Sequence, residues 1–184
     1  MWICFDCRKL NAKKKCIKEH RCLNIDMRMW YDDNIIAFVN DRIYTTSSRG
    51  IILGERIREK YFMDHTTRGI VEEGKIDVIR CGGREVRYKI FTEEEWKEVE
   101  KRAREIRFNE DLDLMDERLE KIYINMIKKG DVDPRNYNVL ALRRGVAEHG
   151  FKFAEEVRRR IESNELLSKK AKMKVIGAIF ENIL

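Results

Sequence analysis

From Thr92 onward apolar residues return every three or four positions, the rhythm of helices that bury one face. Trp96, Val99, Ala103 and Ile106 carry it first, behind a Thr92/Glu95 capping box in which each side chain answers the other's backbone N–H. A break near Asn109 separates them from Leu112, Met115, Leu119, Ile122 and Met126, which run to a glycine stop at Gly130. These five keep heptad spacing and fit either a dimer seam or packing within the chain; the second is favoured because three more helices follow. Asp133-Pro134 is expected to open the next helix as cap and first-turn proline, and His149-Gly150 to close it. Ala154, Val157 and Ile161 stripe a fifth segment, and Met173, Ile176, Phe180 and Ile183 a last one. Residues 92–184 therefore read as a helical bundle, able to dimerise or to hold a protein partner.

Between Asp33 and Phe91 the rhythm is less even. Asp33-Asn34 is expected to cap a first helix through IIAFVNDRIY, with Ile35, Ile36, Val39 and Ile43 at helical spacing. Thr45-Thr46-Ser47-Ser48 offers caps for a second, striped by Leu53, Ile57 and Tyr61. Asp64 caps a third, HTTRGIVEEG, stopped by Gly74. Two β-rich runs follow, KIDVIRC and REVRYKIF, joined by the hairpin signal Gly82-Gly83. Cys81 reads as a strand residue packing one face.

This order, three short helices and then a hairpin, resembles the winged helix-turn-helix superfamily over residues 33–91. The resemblance implies a recognition helix whose His65, Thr66, Thr67 and Arg68 face base edges or phosphates in the major groove of double-stranded DNA. It also implies a wing whose Arg80, Arg84 and Arg87 reach the backbone or a minor groove. Glu72 and Glu73 follow Arg68 and depart from that pattern, because acids facing a duplex repel it. A winged helix used for protein contacts is the alternative.

Residues 4–22 read CFDCRKLNAKKKCIKEHRC and concentrate soft ligands. Cys4 and Cys7 form a C-x2-C knuckle, and Cys16, His20 and Cys22 follow a basic loop. Clustered thiols at this spacing point to a metal, and zinc needs four of these five in a closed tetrahedral shell. Cys4, Cys7 and Cys16 with His20, or the same three with Cys22, both satisfy it; an iron–sulfur cluster is a lesser alternative that needs the four cysteines. A shell closed by four protein ligands folds its loop and has no open position for chemistry. Trp2, Cys4, Cys7 and Asn11 match the W-x-C-x2-C-x3-N opening of the Ran-binding-protein type of zinc finger, which this stretch resembles. That family's closing C-x2-C is replaced here by Cys16, His20 and Cys22. The resemblance implies contact with RNA or protein through Trp2 and the loop, without catalysis.

Charge sharpens this picture. The net charge of the 184 residues is +6, and residues 92–184 hold as many acids as bases, so the excess lies wholly in the first half. Lys13, Lys14 and Lys15 sit on the metal loop, where they can offset thiolate charge or meet phosphate. Lys169, Lys170, Lys172 and Lys174 crowd the start of the last helix, where its dipole disfavours them, which suggests a phosphate-binding end, and Arg158–Arg160 form a second run; for both a solvated face is the favoured reading. Charged residues make up 39% of the chain, glutamine is absent and proline occurs once, a balance that leans towards a heat-adapted, archaeal source. No apolar run reaches the ~18 residues of a membrane span and no signal peptide is evident, so a cytoplasmic protein is expected.

Nothing points to an enzyme. No phosphate loop, GxGxxG or G-x-S-x-G elbow occurs. The acid pairs Asp111/Asp113 and Asp131/Asp133, and the nuclease-like Glu73-Gly74-Lys75 and Glu95-Trp96-Lys97, arise by chance in so charged a chain and sit where helices are expected to begin, so capping accounts for most of them. The expected fold is mainly α with a small β-hairpin: a zinc finger (1–32), a winged helix-turn-helix (33–91) and a helical domain (92–184). The expected function is that of a DNA-binding transcriptional regulator, with RNA as the further polyanion partner after DNA. A non-catalytic adaptor for a ribosome, polymerase or replication complex is the alternative.

Overall fold

A computed structural model describes residues 1–25, 35–46, 59–81, 83–129, 132–181 and 183. Several expected features lie outside those residues: the Asp33-Asn34 cap, Ser47-Ser48, Leu53, Ile57, Gly82, Gly130, Asp131 and the side chain of Cys81. The chain divides into two compact units, residues 1–103 and 104–184, whereas the sequence pattern set boundaries after 32 and 91.

The first unit is built on two sheets. Strands β1 (Trp2–Cys4), β2 (Lys9–Asn11) and β3 (Cys22–Asn24) form an antiparallel sheet in the order β2-β1-β3. Strands β4 (Ile35–Val39), β5 (Arg42–Thr45), β6 (Glu59–Phe62), β7 (Asp77–Cys81) and β8 (Arg84–Phe91) form a second sheet in the order β6-β5-β4-β8-β7. Helix α1 (His65–Glu72) lies between β6 and β7 in sequence, and its Asp64 cap accepts a hydrogen bond from the Thr67 N–H at 2.7 Å.

The segment expected as a first helix is instead the β4–β5 hairpin, and β content exceeds the single expected hairpin. Its turn is Asn40-Asp41, with Asn40 in the left-handed region at φ 54° that asparagine tolerates. Every residue of β4 is buried. Ile36 and Phe38 enter one core with Ile3, Phe5, Leu10, Ile25, Ile43, Val86, Tyr88 and Ile90. Ile35, Ala37 and Val39 enter another with Tyr44, Met63, Val71, Phe91 and Trp96. A helix with one apolar stripe cannot serve two cores, whereas a strand alternates between them at every residue. The expected second helix also ends differently, with Tyr61 on β6. The α1 helix and the β7–β8 hairpin stand where the pattern put them, the latter turning at Gly83 with φ 79°.

Helix α2 (Glu93–Asp113) starts with the expected box: Thr92 N–H donates to Glu95 Oε2 at 3.0 Å and Glu95 N–H to Thr92 Oγ1 at 3.2 Å. The break falls at Leu114, not near Asn109, and α3 runs Met115–Lys129. Helix α4 (Tyr137–His149) starts three residues later than the proline suggested. Asp133 Oδ1 accepts from the Arg135 N–H at 2.9 Å and so closes a side-chain turn, which leaves Asn136 to cap the helix. Helices α5 (Phe151–Ser163) and α6 (Lys169–Phe180) complete the second unit, with Ser168 capping α6. The heptad residues Met115, Leu119 and Ile122 are buried in this unit's core, with Leu112 and Met126 packed beside them. The seam is thus filled within the chain. Helix α4 approaches α5 through Gly145, where an added Cβ would stand 2.8 Å from the Phe153 ring. Gly145→Ala is expected to destabilise by about 1 kcal/mol or more, because overpacking outweighs the gain in helix propensity. A urea midpoint that falls at unchanged slope is the readout.

Candidate metal centre and basic surface

Cys4 ends β1 and the chain turns back at once, with Arg8 in the left-handed region at φ 53°. The turn brings the Cys7 N–H to 3.3 Å from Cys4 Sγ, a donor that stabilises a thiolate. After β2, Asn11 Oδ1 accepts from the N–H groups of Lys13 at 3.1 Å and Lys14 at 3.4 Å, which bends the loop carrying Cys16 and His20 back over the knuckle. The donor atoms of Cys4, Cys7, Cys16 and His20 all lie within 4.8 Å of one another. Cys7 Sγ is 3.6 Å from Cys16 Sγ, and His20 Nδ1 is 3.6 Å from Cys4 Sγ, 3.0 Å from Cys7 Sγ and 3.7 Å from Cys16 Sγ. A tetrahedron with ordinary zinc–ligand bond lengths has edges of about 3.8 Å between sulfurs and about 3.6 Å between sulfur and nitrogen. The four residues are therefore close enough to hold a metal ion, and their thiols are free. Of the two ligand sets open in the sequence, the one with His20 is assembled.

The protonation of this cluster points the same way. Burial pushes the Cys4 thiol up, but hydrogen bonds from Cys7, His20 and Cys22 outweigh it and hold the group at about 7. Its neighbour Cys7 is pushed up to about 12 by the adjoining Cys4 and Cys16 thiols. Crowded soft donors resist more than one negative charge until a cation shares their space. Cys22, raised chiefly by burial, lies on β3 opposite Cys4 and outside the four-donor group.

The expected contact residues are distributed unevenly. Lys13, Lys14 and Lys15 are exposed on the clasped loop, and His65 is exposed at the start of α1. Thr66 is half-buried; Thr67 is buried and so withdrawn from any surface contact. Arg68 pairs with Glu72 at 3.0 Å, and Arg87 approaches the same carboxylate at 4.0 Å, so the two arginines converge on one acid. Arg80 pairs with Glu85 at 2.9 Å on the same face of the ribbon as Arg87. The register turns Arg84 to the opposite face.

Other residues tie the tip to the rest of its unit, and no sequence motif marked them. Arg8 reaches Glu95 at 2.7 Å. Arg21 donates to Asn40 Oδ1 at 2.6 Å and lies 4.6 Å over the Phe5 ring. Buried Tyr88 accepts the Leu10 N–H on its hydroxyl at 3.1 Å, linking the two sheets. Two tip arginines are thus engaged with protein.

Glu73, Glu95 and Asp111, three of the acids that resembled catalytic pairs, have structural partners. Glu73 binds Arg102 at 2.6 and 3.1 Å, Glu95 binds Thr92 and Arg8, and Asp111 bridges Arg118 at 2.6 Å and His149 at 2.9 Å. Of the basic run at 158–160, Arg159 and Arg160 bind Glu156 and hold its carboxyl down to about 2. Among the lysines of α6, Lys172 donates to the Glu162 carbonyl at 2.6 Å. No helix among the described residues is long and apolar enough to cross a membrane. Comparison with protein-family models, with curated proteins and with solved structures found no match.

Proposed function

We propose that this chain is a nucleic-acid-binding protein whose N-terminal tip is clasped by zinc and offers Lys13, Lys14 and Lys15 to phosphate. The observation that carries the reading is the coincidence of the four-donor cluster with the loop that bears those lysines. Three thiolates and an imidazole are the donor set zinc favours, and a shell they close leaves no site for catalysis, so the reading is of a binder and not an enzyme. Zinc fixes the loop before it meets its partner, which removes part of the ordering cost of binding. Double-stranded DNA is the favoured partner and transcriptional regulation the favoured use, with α1 and the β7–β8 ribbon acting as the reader. The convergence of Arg68 and Arg87 on Glu72 limits what that reader contributes, so the loop lysines carry most of the affinity. Free thiols at the site suit a reducing, cytoplasmic setting.

Salt dependence tests this. Each phosphate neutralised on duplex DNA contributes about 0.9 to the slope of log affinity against log salt. Replacing Lys13, Lys14 and Lys15 together by alanine is expected to reduce that slope by about 2 to 3. An unchanged slope overturns the assignment. A second reading, an adaptor docking on a ribosome, polymerase or replication complex, is favoured by exposed Ile124 and Ile127 on α3 and Tyr137 and Leu140 on α4. Under that reading the wild type binds duplex DNA poorly, and its partner survives nuclease treatment in a pull-down.

A further inference from the structure

Cys22 is a sulfur that the metal shell leaves out. It lies on β3 directly across from Cys4 of β1. The hydrogen bonds on either side, Phe5 N–H to the Arg21 carbonyl at 3.2 Å and Ile25 N–H to the Met1 carbonyl at 2.8 Å, join odd-numbered pairs. Cys4 and Cys22 are therefore a non-hydrogen-bonded cross-strand pair, the closer kind, with Cα atoms about 4.5 Å apart. Disulfides span Cα separations of about 4.4 to 6.8 Å, so this pair can be bridged without moving the strands. The register puts the two side chains at facing positions on the same face of the sheet. Cys22 is half-buried and Cys4 buried. Cys7 and Cys16 face His20 and the centre of the donor cluster, whereas Cys22 holds no position there.

We propose that Cys22 is the resolving thiol of an oxidation switch: a peroxide oxidises Cys4, Cys22 closes a disulfide with it, and the metal is discharged. The inference rests on the metal reading above and adds a regulatory modification to it. In the first step the Cys4 thiolate sulfur attacks one peroxide oxygen, the O–O bond breaks, and hydroxide departs and takes up a proton as water. This leaves Cys4 as a sulfenic acid. In the second step the Cys22 sulfur attacks the Cys4 sulfur, the S–O bond breaks, and hydroxide leaves with the Cys22 proton as a second water. The two thiols lose two electrons and the peroxide gains two. The cation is left with Cys7, Cys16 and His20, a shell of three that no longer closes. A thiol reductant reverses the bridge and restores the site.

Hydrogen peroxide acting on the zinc-loaded full chain tests this, with zinc per chain and a disulfide peptide map read on each sample before oxidation, after oxidation and after reduction. Expected for the wild type are one zinc at the start, a Cys4–Cys22 bridge with zinc loss after peroxide, and return of zinc after reduction. Cys22→Ser, and Cys22→Ala as a second variant, are expected to hold the same zinc at the start. After the same exposure they recover several-fold less, because Cys4 proceeds to the sulfinic acid that thiols do not reduce. A wild-type bridge mapped to Cys4–Cys7 or Cys7–Cys16, full recovery in both variants, or loss of zinc from both before oxidation overturns the proposal. A wild type that carries no zinc before peroxide overturns the metal reading itself, and so is distinguished from failure of the Cys4–Cys22 pairing.

Discussion

Cys7→Ser is expected to abolish stoichiometric zinc binding and to open residues 4–22 to proteolysis while the five-stranded sheet stays folded. Cys7 Sγ is near both Cys16 Sγ and His20 Nδ1, so the substitution removes one of the four donors from between two others. Structural zinc supplies about 10 to 16 kcal/mol in isolated fingers; losing even a quarter of it, about 3 kcal/mol, weakens binding about a hundredfold. The loop has little else to hold it, since Lys13–Lys15 and Ile17–Glu19 are exposed. The damage stops at β1, because Ile3, Phe5 and Leu10 are anchored in a core shared with Phe38, Val86 and Ile90. Elemental analysis of the purified variant and limited proteolysis at the loop lysines are the measurements. A variant that keeps one zinc per chain would sink the assignment of Cys7 as a ligand.

Phe153→Ala is expected to cost about 3 to 5 kcal/mol, the range for truncating a buried aromatic residue. Phe153 is fully buried in the second unit, edge-on to Phe108 at 6.1 Å and tilted against His149 at 5.2 Å. The ring also fills the space that Gly145 leaves open on α4. Its removal therefore leaves a void among groups held by other contacts: His149 by Asp111, and Asp111 in turn by Arg118. Such a wall collapses little, which places the effect towards the upper end of the range. For a unit of this size each kcal/mol lowers the melting temperature by about 4 to 8 °C, so a fall of at least about 12 °C is expected in thermal unfolding. A fall of only a few degrees would mean that the second unit repacks around the void.

These two sites differ in how readily the amino-acid sequence discloses them. The Cys7 site is visible in C-x2-C followed by Cys16 and His20, since metal ligation by a short loop requires its donors close in sequence. Phe153 lies four positions before Val157 and eight before Ile161 on the buried face of α5, and the pattern marked the stripe without this residue. Its importance comes from Gly145 and Phe108, which belong to other helices.

The helices between Thr92 and Phe180 follow largely from local signals, because caps and a 3.6-residue rhythm act within a few residues of each other. The turn at Gly83 and the start of α1 at Asp64 are local in the same sense. Boundaries shifted where two local signals competed, as when the side-chain turn at Asp133 delayed α4 to its Asn136 cap.

What the sequence alone determined about this protein is therefore its short-range content: most of the helices of the second unit, the β7–β8 hairpin, and a metal-competent cluster beside a lysine-rich loop. Only the tertiary structure decided that IIAFV is a strand, because burial of every residue requires a core on each side and those cores come from residues 3–25 and 63–96. It also decided between His20 and Cys22, since pairing of β3 with β1 holds Cys22 across from Cys4 while the loop brings His20 into the cluster. Strand register likewise turned Arg84 away from Arg80 and Arg87, and packing set Arg68 and Arg87 against Glu72. Each of these outcomes depends on partners far apart in the chain, whose contacts no local pattern encodes.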